Sequence, residues 1–335
     1  MKISASVYAD QRKNLVATVR DLEAHGADML HIDCHGEPKI FEDIRTVRSI
    51  TELPIDLHLI VPRPQLFGDL LRHTPVDYLT IQYETLASDA ELPTQGHRHL
   101  GMAFSEGTEP AAFSPFANQC DFVLIMATTP GVSGGVFQTT SFRTVREFAR
   151  LYPGRRLHVD GGVNAEVSFI LRNMGVWCAV SGSYLFKEAT LGGAMLKLKS
   201  GMTESHFCVR DFMRTMDETP HLRTEDITTE RILRSIEDKR LGFTLIVDRH
   251  GTLTGMASNA DLRRGMLNHI NDLRALSPEH LINRNPIAVS EKLTVKELLS
   301  HIRRQPIPIN YLPVTDDKGV LVGCLTFNDL IKGEA

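Results

Sequence analysis

Four side chains at three separated places in this sequence could do chemistry together. His31 and Asp33 stand in "MLHIDCHG", His58 in "PIDLHLI" and Asp160 in "LHVDGGV". Each lies at the end of a short apolar run. Residues two apart on a strand project from the same face, so His31 and Asp33 point the same way. Two imidazoles and two carboxylates suit one divalent cation: zinc, iron, manganese or cobalt. A buried His or Asp without a partner is costly, and a shared ion explains four of them better than four separate burials. A second signal is an anion site. "TTPGVSGG", "DGGV" and "SGS" follow three successive apolar runs. Their glycines let backbone N–H groups approach a phosphate. The candidate contacts are Gly131, Ser133, Gly134, Gly161, Gly162, Gly182 and Ser183. A cation, a phosphate site and two carboxylates suggest proton transfer beside a carbonyl. One carboxylate takes a carbon-bound proton and the other returns one on the opposite face. The expected substrate is a ketose phosphate.

Elements at fixed ends of a sheet must position these groups. Eight strand-like runs fill the N-terminal half: "ISASV", "MLHID", "IDLHLI", "YLTIQ", "HLGMAF", "DFVLIM", "LHVDG" and "WCAVSG". Amphipathic stretches such as "RKNLVATVRDLEAHG" and "SFRTVREFARLYPG" separate most of them, and Gly26, Gly154 and Gly175 act as helix stops. This alternation predicts an α/β fold, a (β/α)8 TIM barrel, whose strand C-termini meet at one mouth. The stretch after the fourth strand, "ETLASDAELPTQGHR", has a proline and little periodicity, so its helix should be short or irregular.

At 335 residues the chain is long enough for two domains. A formal net charge of −4 gives no reason to expect nucleic-acid binding. The five cysteines are scattered without a CxxC pair, which fits a reducing compartment. No basic-then-apolar leader opens the chain, and no apolar run approaches the roughly 20 residues of a membrane span. A cytoplasmic protein without membrane contact is expected.

The C-terminal part contains a repeat. "GTLTGMASNADLRRG" matches "GVLVGCLTFNDLIKG" without a gap, and Thr228 upstream corresponds to Thr294. Each copy reads strand, helix, strand, strand, helix. Two such copies should pack face to face about a pseudo-twofold axis. "LKLKSGMTESHFC" is the expected linker. The expected domains are 1–200, 207–270 and 276–335.

The first domain resembles the ribulose-phosphate 3-epimerase family. The motifs that carry this are "HIDCHG", "DLHLI", "LIMATTPGVSGG", "VDGGV" and "GSYLF". The resemblance implies a metal held by His31, Asp33, His58 and Asp160, with Asp33 and Asp160 as the acid/base pair. It places Ser6 near the substrate and Met126 in the pocket. The chain departs from the family at several points. The loop after the second strand is shorter, with His35 where a methionine would sit. Ile60 replaces a pocket methionine, Ser133 a glycine, Gln82 a histidine and Ser105 an asparagine. His35 either adds a polar contact or fills the shortened loop, and the loop length favours the latter.

The tail resembles a tandem pair of CBS domains (α+β), through "GMASNADLRR" and "GCLTFNDL". That implies an adenine or cytidine nucleotide at Ser258, Asp261, Thr326 and Asp329. The same residues are also a helix N-cap signature. The tail is similar to that of arabinose-5-phosphate isomerases. The leading expectation is an isomerase, a metal-dependent pentulose-phosphate 3-epimerase that converts D-ribulose 5-phosphate to D-xylulose 5-phosphate, regulated through the nucleotide-binding CBS pair and assembled as a homo-oligomer. The alternatives are an epimerase for another ketose, such as a 6-phosphate, and a non-catalytic sensor. Retention of both Asp33 and Asp160 argues against the sensor.

Overall fold

Eight short, largely buried strands close into one parallel barrel in sequence order. The structure is a computed structural model, described over residues 1–129, 134–200, 207–306 and 309–326. The barrel strands are β1 (Lys2–Ser6), β2 (Met29–Cys34), β3 (Ile55–Leu59), β4 (Val76–Gln82), β5 (His97–Phe104), β6 (Phe122–Met126), β7 (Arg156–Asp160) and β8 (Cys178–Ser181). Leu30, Ile32 and Cys34 of β2 are fully buried. They lie on the strand face opposite Met29, His31 and Asp33, as the two-residue period requires.

The covering helices are α1 (Leu15–Ala24), α2 (Ile40–Arg48), α3 (Gly68–His73), α4 (Thr140–Leu151), α5 (Ala165–Asn173), α6 (Ser183–Lys187) and α7 (Leu191–Ser200). Their starts are written in the sequence. Asn14 caps α1 by accepting the Ala17 N–H, and Asn164 caps α5 by accepting the Val167 N–H, both at 2.9 Å. The apolar spacing of α4 buries Phe142, Val145 and Phe148 on one face. Each such phenylalanine removed from water contributes about 1.5–3 kcal/mol. Between β4 and β5 the expected irregular helix is a single 3-10 turn, Tyr83–Thr85. Another 3-10 segment, Pro110–Phe116, lies between β5 and β6.

The barrel interior is graded. At the N-terminal end Met29, Tyr78, Phe122 and Cys178 form an apolar layer with Trp177. His158 stacks there between Phe122, with centroids 4.2 Å apart, and Trp177 at 5.0 Å. Ser4, His31, Asp56 and Thr80 lie buried above them. The polar content thus rises toward the strand C-termini.

The chain divides into two compact units, one within Met1–Thr203 and the other within Glu204–Asn328. This corrects half of the expected linker. "LKLKS" is the end of α7, where Leu198 is fully buried and its carbonyl accepts from Ser168 Oγ.

The second unit opens with α8 (Val209–Phe212) and β9 (Arg214–Thr215). The first copy of the repeat contributes β10 (His221–Arg223), α9 (Thr229–Asp238), β11 (Phe243–Val247), β12 (Leu253–Ser258) and α10 (Asn259–Asn268). The second contributes β13 (Val289–Ser290), α11 (Val295–Arg303), β14 (Tyr311–Thr315) and β15 (Leu321–Thr326). Sheet order is β10-β11-β12 in one copy and β13-β14-β15-β9 in the other. Thr228 and Thr294 cap α9 and α11 at matching places. The contacts between the copies are reciprocal. Leu253 N–H donates to the Gly319 carbonyl at 3.1 Å, and Leu321 N–H donates to the Gly251 carbonyl at 2.9 Å. Phe243 stacks on its counterpart Tyr311 at 4.5 Å. Equivalent residues meeting each other in this way define a twofold relation.

Candidate active site at the barrel mouth

Strand register builds the site. In the β2–β3 pairing His31 lies beside Asp56, and Asp33 beside His58. The spacing His-x-Asp on one strand and Asp-x-His on the next therefore stacks two mixed pairs, one above the other. Asp160 ends β7 and reaches the same place. One ligand atom from each of His31, Asp33, His58 and Asp160 lies within 4.8 Å of the other three. His31 Nε2 is 3.2 Å from Asp33 Oδ1 and 3.8 Å from Asp160 Oδ2. His58 Nδ1 is 3.3 Å from Asp33 Oδ1.

This donor set fits a divalent cation. Ligands about 2.1 Å from a tetrahedral ion lie about 3.4 Å apart, close to the spacings found. His58 Nδ1 is buried without a hydrogen-bond partner among the described residues. Its other nitrogen, Nε2, donates to Gln82 Oε1 at 2.9 Å. His31 is held in the opposite sense. Its Nδ1 donates to Asp56 Oδ2 at 2.9 Å, and that oxygen also accepts from Ser4 Oγ at 2.8 Å. Each ring thus spends one nitrogen on an outer partner and turns the other toward the carboxylates, the arrangement common behind metal-bound histidines.

Electrostatics reflect the crowding. Burial works against a charged His31, but Asp33 and Asp56 outweigh it and hold its pKa well above the usual histidine value. Burial also raises Asp33, yet His31 and His58 pull its carboxyl well below the usual range. Asp160 moves the other way, raised by burial with Asp33 adding to the rise. The two carboxyl groups thus sit in different electrostatic surroundings. Deeper in, burial lowers His158 to about 4.

Three of the four clustered groups, His31, Asp33 and Asp160, edge a cavity of about 380 Å³. Ser6, His31, Asp33, Gly134, Asp160, Gly161, Gly162, Gly182 and Ser183 line it. His58 sits behind, fully buried. Met126 is buried in a cluster with Ala103, Leu124 and Val180, of which Val180 lines the cavity. Gly131 and Ser133 lie outside the described residues. His35, read from loop length as filler, lines the cavity, as do Tyr8 and Glu37. Tyr8 donates to Asp43 Oδ2 at 2.7 Å. The paired glycines of "DGGV" have a packing cause. A Cβ on Gly162 (φ +64°) would lie 2.3 Å from Phe137 N, and one on Gly161 (φ +109°) 2.3 Å from Thr128 Oγ1. Only glycine lets the segment after β6 pass so close to β7.

In the second unit Ser258 and Asp261 are buried and bonded to each other. Ser258 N–H and Oγ–H both donate to Asp261 Oδ2, and Ser258 Oγ accepts the Asp261 N–H at 3.3 Å. This is a helix capping box. Thr326 Oγ1 accepts from Arg214 Nε at 3.2 Å. Asp329 lies outside the described residues. Sequence reasoning did not single out Asp56, Ser4 or Glu84. Asp56 was visible only as a letter of the "DLHLI" motif.

The ribulose-phosphate 3-epimerase of Bacillus subtilis is 25% identical over 213 residues, covering 59% of this chain and 98% of its own. That of Treponema pallidum is 30% identical over 205 residues, covering 54% and 88%. A CBS-domain profile matches residues 279–334. Among solved structures, CBSX2 in complex with AMP is 20% identical and covers 38% of this chain and 96% of that one, with a TM-score of 0.32. A putative acetoin utilization protein (AcuB) from Vibrio cholerae is 23% identical and covers 37% and 87%, with a TM-score of 0.31. Among the described residues no helix is long and apolar enough to cross a membrane. The profile of the Ribulose-phosphate 3 epimerase family matches residues 2–186, more than half of the sequence, and the chain belongs to that family of pentose-phosphate isomerases.

Proposed function

We propose that the barrel interconverts D-ribulose 5-phosphate and D-xylulose 5-phosphate with the help of one divalent cation, and that the tail adds nucleotide control. The observation that carries the reading is the convergence of His31, Asp33, His58 and Asp160 within 4.8 Å at the cavity edge. The proton on the third carbon is acidic because the neighbouring carbon is a carbonyl. A carboxylate on one side, Asp33 or Asp160, takes that proton, and the C–H electron pair moves toward the carbonyl oxygen to leave an enediolate. The other carboxyl group delivers a proton to the opposite face, and the configuration inverts. The two aspartates suit this because they come from β2 and β7, with β1 and β8 between them around the barrel. A divalent cation held by the four side chains would supply positive charge against the negative charge that builds on the substrate oxygens. Ser6 faces the sugar. Gly134, Gly161, Gly162, Gly182 and Ser183 offer backbone N–H groups and a hydroxyl to the phosphate, and the motif "TTPGVSGG" adds Gly131 and Ser133 to the proposed set.

The test is isotopic. Metal-loaded protein is incubated with ribulose 5-phosphate in deuterated water, and exchange at the third carbon is followed by proton NMR. Exchange with formation of xylulose 5-phosphate is expected. A ketohexose 6-phosphate is run in parallel, because His35, Tyr8 and Glu37 alter the cavity wall. Turnover of that sugar alone would move the substrate to the larger ketose. No exchange with either sugar would leave a sensor.

In the tail, an adenine or cytidine nucleotide is proposed at Ser258 and Asp261 and at Thr326 and Asp329. The support is that the repeat relates the two pairs. Ser258 opens α10, at whose N-terminus phosphate is favoured.

A further inference from the structure

Two of the departures noted above, Gln82 and Ser105, meet behind His58. Gln82 Oε1 accepts the His58 Nε2–H at 2.9 Å. Gln82 Nε2 donates to Glu84 Oε2 and, at 3.1 Å, to Ser105 Oγ. Ser105 N–H and Thr108 Oγ1 donate to Glu84 Oε1 at 2.8 Å and 2.6 Å, and Ser105 Oγ donates to Glu84 Oε2 at 3.2 Å.

An amide side chain can present either end to a neighbour, and a histidine can carry its proton on either nitrogen. Here the ambiguity is removed from outside inward. Glu84 is surrounded by donors; burial raises its pKa, but hydrogen bonds from Thr108, Ser105 and Gln82 hold it below the usual range. An ionised carboxylate only accepts, so the Gln82 nitrogen must face it. The Gln82 oxygen must then face His58, and His58 Nε2 must be the protonated nitrogen. Nδ1 is left with a lone pair, unpartnered, 3.3 Å from Asp33 Oδ1.

We propose that Gln82, oriented by Glu84 and Ser105, is a positioning residue that fixes His58 in its Nε2–H tautomer and so turns the Nδ1 lone pair into the ligand cluster. The inference rests on the proposed metal site for its purpose, but the tautomer can be read in protein that holds no metal. It assigns to His58 a neutral amide where His31 has the carboxylate of Asp56. Each ring thus has one nitrogen held by different chemistry, Nδ1 of His31 by Asp56 and Nε2 of His58 by Gln82.

The experiment uses the full chain labelled with ¹⁵N at histidine, stripped of metal, at about pH 9, well above the ordinary imidazole pKa of about 6.5. Long-range ¹H–¹⁵N correlation distinguishes a protonated from an unprotonated ring nitrogen. His58 should show Nε2 protonated and Nδ1 bare. Gln82→Leu, which removes the acceptor, and Glu84→Gln, which lets the amide flip, should each populate the Nδ1–H form. Each should also weaken Zn²⁺ binding by about 10–100-fold. Gln82→Glu, which keeps an acceptor for Nε2–H, should retain the wild-type tautomer. Circular dichroism checks that each variant is folded. A wild-type His58 with Nδ1–H, or a tautomer unchanged in folded Gln82→Leu, overturns the proposal. Absence of zinc binding or of epimerisation in a protein that shows the expected tautomers would instead count against the proposed function.

Discussion

Asp56 never reaches the cavity, yet it bears on the site as directly as the groups that do. It accepts from His31 Nδ1 at 2.9 Å and from Ser4 Oγ at 2.8 Å. Asp56→Asn should therefore weaken zinc binding by about 10–100-fold, the usual cost of losing such a partner, as measured by competition with a chelating dye. Asp33→Asn and Asp160→Asn should each lower turnover by at least about 10²–10⁴-fold in a coupled assay for xylulose 5-phosphate. Substantial turnover in either variant would move the proton transfers elsewhere, with His35 the next group at the cavity wall. The four proposed ligands were legible because His31, Asp33, His58 and Asp160 each sit where an apolar run ends. Asp56 and Gln82 were harder to see. Their roles depend on register between strands, which brings Asp56 level with His31, and one sequence does not state which residues pair across a sheet. A usable signal was present, since Asp56 and His58 repeat in reverse the two-residue spacing of His31 and Asp33.

Among the elements, β7 carries His158 in the apolar layer of the barrel and Asp160 at its C-terminal end. His158 is stacked between Phe122 and Trp177, and its Nε2 has no partner among the described residues. Burial holds its pKa at about 4, against about 6.5 in the unfolded chain. Between those values the unfolded chain binds the extra proton and the native one does not. This contribution to stability is therefore complete above about pH 6.5 and is lost as pH falls toward 4, by about 3 kcal/mol in all. His158→Phe should remove that component. Urea unfolding at pH 7 and pH 4.5 should show a smaller loss in the variant than in wild type. Equal losses would place the acid sensitivity in other groups. The strands were readable because short apolar runs, buried on both faces, stand between helix-like stretches. α7 was misread in part because Lys197, Lys199 and Gly201 look like a polar connection. Only packing shows that Leu198 is buried while Leu196 on the same helix is exposed.

The whole molecule has two compact units, and the proposed ligands divide between them. A ligand that binds only the folded form stabilises it by about 2.7 kcal/mol at a hundred times its Kd. Scanning calorimetry of the full chain should thus show zinc raising the melting of the barrel. AMP, ATP, CMP and CTP should act, if at all, on the melting of the repeat pair, and Asp261→Asn should reduce any such shift. A nucleotide shift untouched by that variant would remove Asp261 from the site. The repeat was plain in the sequence, from Gly251 against Gly319 to Asp261 against Asp329. The strand that precedes it was not. β9 pairs with β15, and Cys208 bridges to Thr294, so the stretch before the first copy is built into the sheet of the second. Val209 and Met213 share a core with Val289, Leu312 and Leu325. In evolutionary terms, this makes the tail one unit of inheritance. A gene fusion that carried over only the second copy would leave β15 with a bare edge and a gap where Val209 packs. Any productive exchange of this tail among enzymes must move the stretch from about Cys208 onward as a single block.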